Sequence, residues 1–262
     1  MYIPKRRYYF HRITVFIFVL FPTIVYGQVN TEKLRNFEAK EGLQNTAGFG
    51  LGFLAGNSEQ YRITGQYRLD WLVSHYYSFL IMNYERGKSG GELFSDRGFV
   101  HARVGRDLNN DWILEAFAQK EFNKLISLKD RQVIGGGLRY EIRKSDTSET
   151  PQKILLGLGT GIMYERELTT EPAQKKKLVR STNYLSLTWF AHNGLSFSST
   201  TYFQMDFRQS SDFRVLDESS LAFSITKSLS FITSINLRFD HEPPPDIKKY
   251  DIAVTHGINV RF

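Results

Sequence analysis

Arginine and carboxylate side chains recur at alternate positions along many segments of this sequence. In the stretch 61–71, for example, Arg62, Arg68 and Asp70 share one face, and aromatic and aliphatic residues occupy the other. Guanidinium and carboxylate groups removed from water must pair, so such faces predict either ion pairs that fill an interior or a narrow pore that prefers charged solutes. The candidate residues that line this interior are Arg62, Arg68, Asp70, Glu85, Arg103, Glu115, Gln119, Arg131, Arg139, Arg180, Tyr184, Arg214, Glu218, Arg238 and Asp251.

A hydrolase with a site on the wall or rim is the alternative chemistry. It would need a nucleophile or an activated water beside a histidine and an acid, with His101 and His256 as the histidines on predicted strands. His256 falls among the apolar positions of the last segment, so we expect either a bulge at Gly257 that turns it inward or a neighbouring subunit that covers it. Histidine and acid spacings match no metal-ligand motif, and we expect no cofactor, no metal and no catalytic residues.

These side chains must be positioned by strands, because alternation with a period of two continues from about residue 47 to the end of the chain. The segments number about twelve, an even count as in single-chain bacterial barrels. A soluble β-sandwich also alternates, but here the polar faces carry many charges and glycines, and aromatic residues recur near the ends of the apolar faces. The sequence therefore predicts an all-β fold, a transmembrane antiparallel up-and-down β-barrel of about 12 strands.

The connections give a prediction of orientation. With the amino terminus in the periplasm, connections after odd-numbered strands are extracellular and longer, and the others are short periplasmic turns. The long connections are predicted at 87–96, 123–130, 166–178 and 241–249. The stretch 144–152 departs from this rule, since it is a long polar connection on the predicted periplasmic side.

The first 27 residues have the features of a cleaved secretory signal. Lys5, Arg6, Arg7 and Arg12 precede an apolar run that ends at a small-residue site before Gln28. The run is shorter than the roughly 20 residues of a spanning helix, which argues against the alternative of an uncleaved anchor. We expect a periplasmic segment at 28–45 and the barrel at 46–262. Cleavage lowers the formal net charge from +7 to +3, and a nucleic-acid partner is not expected.

The final segment, Tyr250 to Phe262, predicts the partners and the location. It alternates apolar and polar residues and ends on an aromatic residue, as the closing strand of an outer-membrane barrel does. We therefore expect the bacterial outer membrane as the location, outer-membrane lipid and lipopolysaccharide as surroundings, and recognition by the barrel-assembly machinery through the strand that ends at Phe262. Small charged solutes are expected as ligands only under the alternative in which the interior forms a pore.

Several short motifs resemble those of one family. They are Gln119, Arg131, Gly135-x-Gly137, Arg180-Ser181 with Tyr184, the loop at 243–245 that leads to Tyr250-Asp251, and the terminal Phe262. Together they resemble the salt-induced outer-membrane protein family. The resemblance implies a fold and a compartment rather than a reaction, so the predicted role is non-enzymatic: structural, or in adaptation of the envelope to stress.

Overall fold

Twelve strands make up almost all of the structure, a computed structural model. It describes residues 41–57, 59–109, 111–145, 153–170, 173–191, 194–226, 229–243 and 247–260. The predicted signal peptide, most of the predicted lead-in and Phe262 lie outside these ranges. The strands are β1 (Gly42–Leu54), β2 (Gln60–Val73), β3 (Tyr76–Ser89), β4 (Glu92–Asp107), β5 (Trp112–Asn123), β6 (Leu128–Ser145), β7 (Lys153–Thr169), β8 (Lys175–Phe190), β9 (Leu195–Asp206), β10 (Phe213–Ser224), β11 (Leu229–Asp240) and β12 (Tyr250–Val260).

These strands form a single antiparallel sheet in the order β1 to β12, so each strand pairs with the next one along the chain. The sheet curls around an interior. Arg103 of β4 donates a hydrogen bond to the Tyr202 hydroxyl of β9, and Tyr184 of β8 donates one to Glu115 of β5. Such contacts between distant strands require a barrel-shaped sheet, and the predicted fold is confirmed.

The two faces of the sheet differ in polarity, as the alternation predicts. Large apolar side chains are exposed on the outer face, Phe53 of β1 being 77% exposed and Ile134 of β6 62% exposed. The inner face carries the buried charged residues. Among the described residues, no helix is long and apolar enough to cross a membrane.

The barrel has two ends, which we name by the connections they carry. The terminal rim holds the start of β1, the end of β12 and the connections after even-numbered strands. The distal rim holds the connections after odd-numbered strands, which the sequence predicts to be extracellular. β1 begins at Gly42, so it includes the last residues of the predicted lead-in.

Strands extend into three of the four connections that were predicted to be long. β3 and β4 are joined by only Gly90 and Gly91, whose φ angles of 57° and 84° fit a tight hairpin turn of the kind that glycine pairs favour. The predicted loop at 166–178 shrinks to 170–174, because the ladder between β7 and β8 continues to the pair of Leu168 and Lys175. The polar residues on either side of this connection lie on paired strands.

The other two connections keep part of their predicted character. The stretch 123–130 contains a single 3-10 turn, Lys124–Ile126, whose Leu125 amide donates to the Asn123 side chain at 3.1 Å. The stretch 241–249 is a connection, as predicted. The unexpected connection after β6 falls largely within 146–152, outside the described residues.

Candidate functional site

The site is the inner face of the barrel, where charged side chains from neighbouring strands meet in one chain of contacts. His101 Nδ1 lies 3.0 Å from Gln119 Oε1, and the Gln119 amide donates to Glu121 at 2.9 Å. Arg131 donates to Glu121 at 2.7 Å and to Glu165 at 2.7 Å. These four contacts connect β4, β5, β6 and β7.

Glu165 is the centre of the arrangement and is 0% exposed. Besides Arg131, it accepts a hydrogen bond from Arg214 at 3.0 Å, and the Arg180 Nε lies 3.7 Å away. A carboxylate removed from water is costly unless it is paired and hydrogen-bonded, and here three guanidinium groups surround it. Arg180 in turn donates to both carboxylate oxygens of Asp212, at 2.9 and 2.8 Å.

The same network continues to the last strand. Arg214 donates to Asp240 at 3.0 Å and to Glu167 at 3.2 Å. Arg238 lies 3.6 Å from Asp240 and 3.7 Å from Asp251 of β12. A connected set of charges therefore extends from β4 to β12 across the barrel.

A second cluster lies beside the first and joins strands on opposite sides. Tyr184 donates to Glu115 at 2.7 Å, and the Arg103 guanidinium donates to Glu115 at 3.3 Å and to the Tyr202 hydroxyl at 3.4 Å. Arg103 also lies over the Phe117 ring, 5.4 Å from its centroid. This cluster fills the interior with polar and aromatic groups together.

Arg139 and Tyr184 occupy space that two glycines of β7 leave free. A Cβ at Gly157 would lie 2.2 Å from the Arg139 Nη2, and one at Gly159 would lie 2.1 Å from the Tyr184 ring. Arg139 is 1% exposed and donates to Glu141 at 2.8 Å, while Arg143 also pairs with Glu141. These inner-face glycines thus make room for long side chains, and their role is not that of a ligand-binding loop.

Two smaller groups lie on β2, β3 and β4. Arg68 donates to Asp70 at 2.5 and 2.6 Å, and the Tyr77 hydroxyl donates to Asp70 at 2.6 Å. Separately, Glu85 accepts from Arg62 at 2.6 Å and from Arg97 at 2.5 Å. The charges of this side are also paired. Asp70 is buried, whereas the other four side chains keep part of their exposure.

The candidate residues all lie on the inner face. Glu218, the one not yet placed, is on β10 opposite Thr200 of β9 and Asn236 of β11. Glu121, Glu141 and Glu165 lie on predicted inner faces but were not among the candidates, and the network also includes four residues that were not predicted there: Arg97, Glu167, Asp212 and Asp240. Asp240 lies on the same face of its strand as Arg238, and a predicted β11 that was longer by one residue would have included it. Asp212 lies in a connection, where alternation does not indicate the direction of a side chain.

The interior is filled unevenly. Buried charged groups occur on β2 and on β4 through β11, whereas the inner faces of β1 and β12, the first and last strands of the sheet, carry small residues that are partly or fully exposed: Gly48, Gly50, Gly52, Ala253, Thr255 and Gly257. A cavity of about 40 Å³ borders His101 and Gln204, room for about two or three water molecules. Among the described residues, the buried Gln204 Oε1 has no hydrogen-bond partner there.

The structure corrects one expectation about His256. The β11–β12 ladder pairs residues without interruption from Leu229 with Val260 to Phe239 with Tyr250, so the predicted bulge at Gly257 is wrong. His256 stays on the outer face, exposed, with its Nδ1 3.0 Å from the Thr233 hydroxyl oxygen. The regular backbone pairing of the whole strand therefore outweighs the preference of one polar side chain for the polar inner face.

The contacts of the two candidate histidines differ from those of a hydrolase triad. His101 meets an amide in the interior, and His256 meets a threonine on the outer wall, so neither contact joins a hydroxyl, an imidazole and an acid. Among the described residues, no group of three or more histidine and acidic side chains could hold a metal ion.

One curled sheet of twelve antiparallel strands, with an apolar outer face and an ion-paired inner face, defines a β-barrel of the membrane-spanning class. The chain belongs to the family described as "Protein of unknown function, DUF481", whose model matches residues 47–262. Among solved structures, it is similar to the NanC porin in a rhombohedral crystal form, with 9% sequence identity and a TM-score of 0.42, over 83% of this chain and 99% of that one. A search of curated proteins finds no match.

Proposed function

We propose that this protein is a bacterial outer-membrane β-barrel with a narrow passage for small charged solutes. The passage runs along the small residues of β1 and β12, beside the charge network that fills the rest of the interior. We further propose export through a cleaved signal at 1–27, assembly through the carboxyl-terminal strand, and lipid and lipopolysaccharide as surroundings. A role in envelope adaptation to salt or other stress is the physiological part of the proposal.

Placement in a membrane is supported by the outer face. Phe49, Phe53, Leu138, Ile162 and Ile235 are exposed there on strands spread around the sheet. Soluble monomers rarely expose contiguous apolar surface on this scale, whereas a lipid bilayer requires it of a barrel. A β-sheet can span a lipid bilayer only as a barrel, because its backbone groups must be paired there, and this supports a location in the outer membrane.

The passage is supported by the difference in burial between the two sides of the interior. Glu165 and Arg180 are fully buried, so the centre of the network is closed to a solute. On the other side, the Arg68 and Asp251 side chains are 26% and 28% exposed, and a Cβ at Gly257, on the last strand of the sheet, would meet nothing within 4 Å. A solute that follows this wall meets charges of both signs, which favours small ions over larger neutral molecules.

Planar-bilayer conductance of the purified, folded protein tests this proposal. A Cβ at Gly257 would meet nothing within 4 Å, so Gly257→Trp adds a large ring in the proposed passage with no clash at its Cβ. Gly65 is the matched control, because its Cβ would also meet nothing within 4 Å but it lies on the outer face of β2. We expect Gly257→Trp to reduce the ion current several-fold and Gly65→Trp to leave it unchanged. A folded wild-type protein that carries no current would overturn the passage.

A further inference from the structure

A hydrogen-bonded carboxylate lies on the outer face of the barrel, where apolar residues are otherwise expected. Asp217 of β10 accepts hydrogen bonds from the Thr201 hydroxyl at 2.6 Å, from the Ser219 hydroxyl at 2.8 Å and from the Ser199 hydroxyl at 3.3 Å. It shares its face with Val215 and Leu221, and its ladder partner on β11 is Leu237. The side chain therefore points away from the interior network.

Asp217 lies within the apolar band rather than at a rim. On β10 it is between Phe213 and Phe223, aromatic residues that mark the two edges of that band. A carboxylate on the lipid-facing wall of a barrel is unfavourable at such depth, and polar groups inside a membrane usually face protein or water. The outer face of β4 shows the ordinary pattern, with Val100, Ala102 and Val104 in succession.

The same face carries a polar group of complementary chemistry two strands away. His256 of β12 is exposed, contacts Thr233 through Nδ1 and stacks on Phe231 with a centroid distance of 5.9 Å. The second ring nitrogen, Nε2, remains available as a hydrogen-bonding group. Asp217 likewise has capacity left, because a carboxylate accepts about four hydrogen bonds and three hydroxyls are present.

The strand tilt can be read from a contact in the interior. Along the ladder, Glu115 of β5 leads through Gly137 and Gly161 to Thr182 of β8. Its hydrogen-bond partner is instead Tyr184, two residues nearer the terminal rim. The residue at the same depth on a later strand therefore lies nearer the terminal rim than the residue reached along the ladder.

This tilt brings Asp217 and His256 towards the same depth. The ladder leads from Asp217 through Leu237 to Ile252 of β12, and His256 lies beyond Ile252 in the direction of the terminal rim. An acceptor on β10 and an imidazole on β12 thus flank β11 at similar depth.

We propose that the outer face of β10, β11 and β12 binds a second copy of this chain. A two-fold axis along the membrane normal preserves depth and exchanges the two sides of β11. Asp217 of each copy then meets His256 of the other, in two equivalent acid–imidazole hydrogen bonds shielded from lipid. The surface is self-complementary, which selects a second copy over an unrelated partner, and the dimer is independent of whether the interior conducts.

Disulfide trapping in the membrane of the expressing bacterium tests the dimer, because the chain has no cysteine of its own. Ile235 lies on the outer face of β11, near the proposed axis, and is 44% exposed. We expect Ile235→Cys to give a disulfide-linked dimer on oxidation, whereas Ile134→Cys on β6 does not. If the two variants cross-link equally, or neither does while both are folded by heat-modifiable gel mobility, the proposal is overturned.

Side-chain exchange tests the acid–imidazole contact itself. In the Ile235→Cys background, Asp217→Leu and His256→Leu should each reduce cross-linking at least about tenfold, since each leaves the other group unpaired. The double exchange, Asp217→His with His256→Asp, should restore it. Asn183→Leu, which replaces an outer-face polar residue of β8 outside this surface, should have no effect. Full cross-linking in either leucine variant, or no recovery in the double exchange, contradicts the contact.

Discussion

At the scale of single residues, the interior is held by carboxylates that each serve several guanidinium groups. Glu165 is the clearest case, with Arg131 and Arg214 bonded to it and Arg180 beside it. Breaking a buried ion pair by removing one partner costs far more than an exposed pair contributes, because the remaining charges stay buried without compensation.

The first prediction follows from that difference. Glu165→Gln should lower the free energy of unfolding by about 3–5 kcal/mol. The measurement is the urea unfolding midpoint of the refolded protein in detergent or lipid.

The matched control is the exposed pair of Lys120 and Asp130, 3.5 Å apart, in which Lys120 is 68% exposed. Lys120→Ala should change the free energy by less than about 1 kcal/mol. Equal effects of the two substitutions would show that burial of the network does not govern its strength.

At the scale of strands, inner-face glycines decide which long side chains the interior can hold. Gly159 of β7 lies directly under the Tyr184 ring of β8, and Tyr184 holds Glu115 in place. The pairing of a small and a large residue on neighbouring strands lets the ring lie against the sheet. Substitution of such a glycine forces the ring to move and should disturb the contact beyond it.

Gly159→Ala should therefore destabilise the protein by about 1–3 kcal/mol through overpacking. Gly65→Ala, at a mid-strand glycine with open space, should be neutral or stabilise by up to about 1 kcal/mol. Thermal unfolding monitored by heat-modifiable gel mobility compares the two. A Gly159→Ala variant as stable as Gly65→Ala would refute the role assigned to the glycine.

Strand parity explains what could be predicted at this scale. A period of two is enough to assign Arg62, Arg131 and Asp251 to the inner face, because a strand has only two faces. It is not enough to find that Glu165 of β7 meets Arg214 of β10, since that contact depends on the curvature of the sheet. The sequence does not predict the hairpin at Gly90-Gly91, because the residues on either side of it are polar and resemble a loop. It does not predict Asp212 either, because alternation gives the direction of a side chain only within a strand.

At the scale of the whole molecule, the charged residues are unevenly distributed around the interior. The network of buried, ion-paired groups reaches from β4 to β11, whereas β1 and β12, the first and last strands of the sheet, carry small and more exposed residues on their inner faces. A barrel of twelve strands with a largely filled interior is narrow. Under the proposed function, selectivity for small solutes comes from this architecture rather than from a dedicated binding site.

Thiol accessibility tests this asymmetry most directly. Thr255→Cys places a single thiol on the partly open wall of β12, and Thr182→Cys places one on the inner face of β8, where Thr182 is buried. We predict that a charged, water-soluble thiol reagent labels Thr255→Cys rapidly and blocks its ion current, while Thr182→Cys is labelled at least about tenfold more slowly. Equal protection of both positions in the folded protein would show a completely filled interior and contradict the proposed passage.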